Sequence, residues 1–277
     1  MENKVCIITG ANGGVGKESA IGLARLGAHV VMVCRSKERG ELARAEIAKK
    51  SRNDHIDLFI SDLSEMGQVR TLAESLLSSL QSIHVLIHNA GLTNAKREVT
   101  NEMLERTLAV NQLAPFLLTH LLLKRLRDSA PARVVMVTSG LHGRGQIDFD
   151  NLQGEREYTG LTAYATSKLM NVMFTYSLAR RLEGTGVTSN VVHPGIVDTG
   201  LLRQSSLPAR LMMKLVGVSP GKGARSTIFA ASDPSLRTTS GTYINRNLKT
   251  QQSAPRSYDE AIQGRLWTTC VELTSIR

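Results

Sequence analysis

Short apolar runs recur along the chain, each shorter than an ordinary helix. "KVCIIT" comes first, followed by "AHVVMVC", "HIDLFI", "IHVLIH", "ARVVMVT", "VTSNVVH" and a weaker "GTYIN". Valine and isoleucine dominate them, and they read as continuous apolar stretches. Continuity rather than alternation marks strands buried on both faces. Between them lie segments with helical spacing, such as "VGKESAIGLARLG", "KERGELARAEIAKK" and "GQVRTLAESLLSSL". Strand and helix taking turns predict an α/β fold, a parallel sheet of about seven strands with helices on both faces. Right-handed crossovers make the doubly wound arrangement the expected one. The rhythm breaks at about residues 200–220, "LLRQSSLPARLMMKLVGVSP". A last helix-like stretch, around Tyr258 to Leu273, follows the seventh run and is expected to close a sheet edge or an interface.

Composition narrows the setting. The chain has 277 residues, a length that one α/β domain can fill, and no repeat, low-complexity tract or linker divides it. No run reaches the roughly 18 apolar residues of a membrane span. "MENKVCIITG" enters a strand pattern at once, leaving no room for a signal or transit segment, and the expectation is a cytoplasmic protein. Cys6, Cys34 and Cys270 are an odd count without metal-like spacing, which fits a reducing compartment and no disulfide framework. Net charge is +10. Without an aromatic-flanked basic stripe or a nucleic-acid motif, that charge reads as spread over helix faces, where it helps attract a polyanionic cofactor and implies no nucleic-acid partner.

Chemistry begins at the first strand–helix junction, "TGANGGVGKESA". Gly10, Gly14 and Gly16, with Asn12 and Val15 between them, form a turn that brings backbone N–H groups to a helix N-terminus. Such a site suits a pyrophosphate. Glycine turns are common, but this one opens a long alternating pattern, as in a Rossmann-type dinucleotide-binding domain. The second strand ends in Arg35 and Ser36, with no acid. An acid there would read ribose hydroxyls, whereas arginine accommodates a 2′-phosphate. Arg35 is either a solvated strand end or a phosphate ligand, and with the glycine turn the reading is NADP(H). Asp62 and Leu63 follow the third strand, where Asp62 either caps the next helix or faces adenine. Asn89, Ala90 and Gly91 make a small-residue turn after the fourth strand. All these junctions lie on one rim of the sheet, where this architecture binds ligands.

Ser139 ends the fifth strand, and Tyr164 and Lys168 follow it by 25 and 29 residues. Tyrosine and lysine four apart share a helix face. Alone, the pair is commonplace. Beside the serine and the glycine turn it becomes an acid/base device. A nearby ammonium is expected to lower the phenol's pKa, and serine donates a hydrogen bond to a developing oxyanion. Hydride has to come from a nicotinamide, since no side chain supplies one.

From Lys4 to about Asn245 the sequence resembles the short-chain dehydrogenase/reductase family. The matching motifs are "TGANGGVG", Asn89-Ala90-Gly91, Asn111 in "LAVNQLAPF", Ser139, Tyr164-x-x-x-Lys168 and "HPGIVDT". The resemblance implies a catalytic set of Asn111, Ser139, Tyr164 and Lys168, with Tyr164 as general acid/base. It adds Tyr164, Lys168, Pro194, Gly195 and Thr199 to the cofactor-binding residues, Thr199 meeting the nicotinamide carboxamide and Lys168 also holding the nicotinamide ribose. Asn111's counterpart kinks a helix and holds a water in a proton relay to the lysine. Dimers and tetramers are frequent in the family, so a homo-oligomer is compatible with it. Residues 1–277 are read as one dinucleotide-binding and catalytic domain.

Within the family the chain is similar to the retinol dehydrogenase-like branch, through "HGRG" and "FDNLQ" in a long serine–tyrosine gap. The branch often prefers NADP. Its membrane-bound members carry a hydrophobic N-terminal anchor that is not read here. His88 stands where the family often has asparagine and is expected to bond to backbone. His142, Leu201, Leu211 and Met212 are the candidate substrate residues, the last three in the covering segment at 200–220. That apolar, basic segment is read as a lid over a lipophilic aldehyde, ketone or alcohol, with contact to a membrane surface as the other reading. The function read is an NADP(H)-dependent carbonyl reductase or alcohol dehydrogenase. Its rivals are a C=C or C=N reductase and a non-catalytic nucleotide-sensing protein.

Overall fold

The computed structural model describes residues 1–195 and 218–276. The runs become strands in order: β1 (Val5–Thr9), β2 (His29–Cys34), β3 (Ile56–Ile60), β4 (Val85–His88), β5 (Ala132–Val137), β6 (Val187–Val192) and β7 (Tyr243–Ile244). They form one sheet in the order β3-β2-β1-β4-β5-β6-β7-β8. The first seven run parallel. The eighth, β8 (Thr250–Gln251), pairs antiparallel with β7 and was not foreseen. It is two exposed residues long, too short to carry a hydrophobic pattern.

The crossovers are helices α1 (Gly14–Arg25), α2 (Lys37–Ser51), α3 (Met66–Ser79), α4 (Arg106–Leu108), α5 (Ala114–Asp128) and α6 (Gly160–Arg181), then α7 (Pro220–Ser232) and α8 (Glu260–Thr274). Successive strand residues point to opposite faces. Ile7, Val31, Val33, Leu86, Val134 and Met136 therefore pack against α3, α5, α6 and α8. Their neighbours Cys6, Ile8, Val30, Met32, Ile87 and Val135 pack against α1, α2 and α7. Both faces are covered, which is why the strands read as unbroken apolar runs.

The last helix closes no sheet edge. Leu266 and Cys270 of α8 enter the core layer of α5 and α6. Trp267 stands edge-on to Phe116 with ring centres 5.1 Å apart, and the Arg181 guanidinium lies 4.0 Å from its ring. No helix among the described residues is long and apolar enough to cross a membrane.

Candidate active site

The carboxyl ends of β1, β2 and β4 shape the first half of the site. Gly10 turns with φ +68°, a conformation that favours glycine. Gly16 is held for a different reason. A Cβ there would stand 2.4 Å from the Gly10 carbonyl oxygen and 2.4 Å from Asn89 Nδ2. The helix that follows has no side-chain cap and no acid in its first turn. Nothing lies within 4 Å of where a Gly13 side chain would begin. Asn12 is half-buried on this loop, while Val15 turns inward against Ala224.

Asn89 braces this loop. Its Nδ2 donates to the carbonyls of Thr9 (2.9 Å) and Gly10 (3.3 Å), and the Thr9 hydroxyl accepts from the N–H groups of Asn89 and Ala90 (3.0 Å each). Arg35 projects from the end of β2 with 61% of its side chain exposed; its acidic neighbour, Asp62, is 3.9 Å away. Ser36 caps α2 by accepting from the Arg39 N–H.

Asp62 does not cap α3. Its Oδ1 accepts from the N–H and hydroxyl of Ser64. The N-terminus of α3 is satisfied from afar by Glu102, which accepts from Met66 N (2.6 Å) and Gly67 N (2.8 Å). Leu63 is buried in the core, so its main chain alone faces the rim.

The second half of the site forms where β5, α6 and the start of α5 meet. Ser139 begins a short 3₁₀ turn, and its hydroxyl stands near enough to the Tyr164 phenol to favour the phenolate. Tyr164 is half-buried; Lys168 is 5% exposed. Lys168 Nζ donates to the Val137 carbonyl (3.1 Å) and to Asn171 Oδ1 (3.2 Å), and sits 5.7 Å from the centre of the Tyr164 ring. Burial pulls the ammonium down to about 8.

The phenol departs from expectation. Burial raises its pKa, and the nearby Ser139 hydroxyl opposes that rise only in part. Desolvation of a phenolate outweighs a cation that is turned toward Val137 and Asn171.

Asn111 lies in a π-helical turn, Ala109–Leu113, between α4 and α5. Its side chain accepts from Leu92 N and donates to Leu92 O and Ser167 Oγ, each at 2.9 Å. Its main-chain carbonyl accepts from Asn171 Nδ2 at 2.6 Å. Gly91 lies opposite: a Cβ there would be 3.4 Å from Lys168 Nζ and 3.5 Å from Asn111 Oδ1. Pro194 and Gly195 follow β6 on the same rim, Gly195 with φ +89°.

Thr199, Leu201, Leu211 and Met212 lie outside the described residues. His142 has little left for a substrate, because Nδ1 bonds to the Ser139 carbonyl (2.8 Å) and Nε2 accepts from the Ala254 N–H (3.1 Å). The expected substrate contact gives way to a clamp between the Ser139 turn and residue 254. His88 bonds through Nε2 to the Thr119 hydroxyl (2.7 Å), not to backbone. Thr119 already donates to Pro115 O, so it accepts from His88 Nε2–H, and burial keeps the ring neutral. Two participants escaped the sequence reading. Thr9 carried no signal beyond its place before Gly10. Asn171 did carry one, a lone amide in the apolar run "LMNVMF", three residues after Lys168.

A family model described as short chain dehydrogenase matches residues 4–209. Retinol dehydrogenase 12 from Bos taurus is 44% identical over 277 residues, covering 99% of this chain and 87% of its own length. An uncharacterized protein from Mycobacterium paratuberculosis aligns structurally with TM-score 0.79 at 30% identity, over 99% of this chain and 94% of that one. A blue fluorescent protein from a metagenomic library, solved in complex with NADPH, gives TM-score 0.71 at 27% identity, over 88% of this chain and 96% of that one. The curated relatives overturn the cytoplasmic expectation. Those relatives include retinol dehydrogenases, and the lack of a long apolar helix among the described residues assigns no compartment.

Proposed function

The chain belongs to the short-chain dehydrogenase family, and from that premise we propose an NADP(H)-dependent oxidoreductase that interconverts a lipophilic aldehyde or ketone and its alcohol. Oxidoreductase chemistry between alcohol and carbonyl comes with the family and its retinol dehydrogenase relatives. The finer reading rests on one observation above all: Ser139, Tyr164 and Lys168 converge on the rim that also holds the glycine loop and an exposed Arg35.

These residues fit a nicotinamide dinucleotide. The uncapped N-terminus of α1, with open space at Gly13, suits a pyrophosphate. Arg35, mostly exposed and only loosely paired with Asp62, can offer its fork to a 2′-phosphate. Gly91 keeps clear the approach to Lys168 and Asn111, which any side chain would narrow. When bound, the nicotinamide supplies or accepts the hydride.

The protein's own groups handle the proton. In reduction the Tyr164 phenol gives its proton to the carbonyl oxygen; in oxidation the phenolate takes it from the hydroxyl. The Ser139 hydroxyl donates a hydrogen bond to the same oxygen as it gains charge. Lys168, charged below about pH 8, favours the phenolate. The lipophilic substrate class draws on the apolar sequence of the 200–220 segment and on the retinol named in the relatives.

Fluorescence titration with NADPH and NADH side by side, followed by reduction of retinaldehyde, tests the reading. Tight NADPH, weak NADH and turnover support it. Preference for NADH removes the Arg35 assignment, and binding without turnover on any lipophilic carbonyl removes the substrate class.

A further inference from the structure

Asn171 sits one turn beyond Lys168 on α6 and is fully buried. Burying an amide is costly unless every end finds a partner. Here every end does. Oδ1 accepts from Lys168 Nζ at 3.2 Å. Nδ2 donates to the Asn111 carbonyl at 2.6 Å and to Gln112 Oε1 at 3.1 Å. The Asn111 carbonyl can accept because the π-turn takes it out of the ordinary helical ladder. Gln112 in turn reaches Cys270 Sγ on α8 at 3.7 Å. A leucine of similar volume would leave the Lys168 ammonium, the Asn111 carbonyl and Gln112 Oε1 each short of a partner, so the amide answers to those groups and not to packing alone.

We propose that Asn171 is a positioning residue for the acid/base pair: its amide clamps the Lys168 ammonium between the end of β5 and the π-turn of Asn111. It thereby fixes where the charge that supports the Tyr164 phenolate stands. Resemblance to the family implies a water between the asparagine carbonyl and the lysine; in this chain the Asn171 amide makes both contacts. Among the described residues the groups facing Lys168 are few. From β5 it meets the Val137 carbonyl, across the cleft Gly91 and the Asn111 amide, and on its own helix the Tyr164 phenol. At the far end of the amide chain is the Cys270 thiol, which burial pushes up to about 12 and keeps neutral.

The proposal rests on the reading of Tyr164 and Lys168 as the acid/base pair, and its test separates the two. Asn171→Leu removes both ends of the amide at similar volume. Its kcat for retinol oxidation with NADP⁺ is expected to fall about tenfold, and the acid limb of the pH profile to rise by about one unit, since the ammonium loses its acceptor. Asn171→Asp keeps the shape and sets a carboxylate against the ammonium, offsetting its charge as felt at Tyr164, and is expected to shift the limb the same way, which covers a leucine variant that fails to fold. Asn171→Ser leaves a hydroxyl and room for a bridging water and is expected to hold the wild-type midpoint. The Tyr164 phenolate titration, read by ultraviolet difference against Tyr164→Phe, should move with the rate profile. Variants that lose thermal stability yet keep the wild-type midpoint would assign Asn171 to packing and overturn the proposal. Tyr164→Phe, assayed beside them, is expected to be inactive. Activity retained there overturns the acid/base reading itself.

Discussion

Asn89 donates its side-chain amide to the carbonyl of Thr9 at 2.9 Å, across 80 residues of chain. With its second bond to Gly10, it ties the carboxyl ends of two paired strands, β1 and β4, into the floor of one loop. The residue that looks from its motif like a cofactor ligand works here through the backbone that a cofactor would touch.

Asn89→Ala leaves the Thr9 and Gly10 carbonyls short of a donor, at a cost of about 1–3 kcal/mol. Calorimetry should show a lower Tm, and fluorescence titration should show NADPH binding weakened by about tenfold. A variant with lower Tm and unchanged affinity would separate the brace from the binding loop.

Gly16→Ala sets a methyl group 2.4 Å from main-chain oxygen, so the loop and not a flexible side chain has to yield. Overpacking of this kind costs about 1–3 kcal/mol. NADPH binding is expected to be lost, as read by the same titration, because the displaced loop carries the N–H groups.

Arg35→Ala removes the exposed guanidinium at the end of β2. A charge-assisted bond is worth about 1.5–3 kcal/mol, so NADPH affinity should fall by roughly ten- to a hundredfold while NADH affinity stays put. An equal loss for both cofactors would place the effect in the loop rather than on the 2′-phosphate.

If Ser139 donates to the reacting oxygen as proposed, Ser139→Ala is expected to lower kcat by about a hundredfold or more. It also removes an acceptor for the Leu141 N–H, 3.3 Å away, worth about 1 kcal/mol of local stability. Cofactor affinity, measured by titration, should remain near wild type.

His88 titrates at about 3 rather than 6.5, because burial disfavours the imidazolium. Between those values the unfolded chain binds a proton that the folded one refuses. Stability from this group is therefore complete above about pH 6.5 and is lost as pH falls toward about 3. Gln at this position carries an amide N–H at the reach of Nε2 and takes up no proton. Urea unfolding of His88→Gln should show a flatter decline in this window, by an amount on the order of a few kcal/mol at its acid end.

The sheet was legible because its strands are buried on both faces, and burial on both faces leaves continuous apolar runs such as "KVCIIT" and "ARVVMVT". The glycine loop, Ser139, Tyr164 and Lys168 stood out in the sequence because of residue type at fixed spacing, and the fold brings Ser139, Tyr164 and Lys168 together. β8 and the packing site of α8 were not. Two exposed residues carry no pattern, and an amphipathic helix does not say which apolar face will receive it.

The sequence by itself therefore determined the doubly wound sheet, the rim on which its motifs gather and the chemical types assembled there. Tertiary structure alone decided the wiring between them. It turned His142 into a backbone clamp, Asn89 into a brace and Asn171 into the partner of Lys168. It also raised the Tyr164 phenol where the Tyr–Lys spacing predicted a lowered one. The physical reason is that hydrogen-bond partners and desolvation depend on which atoms meet in three dimensions. Those atoms come from residues far apart in the chain, 112 positions between His142 and Ala254 and 158 between Gln112 and Cys270, and no local pattern encodes their meeting.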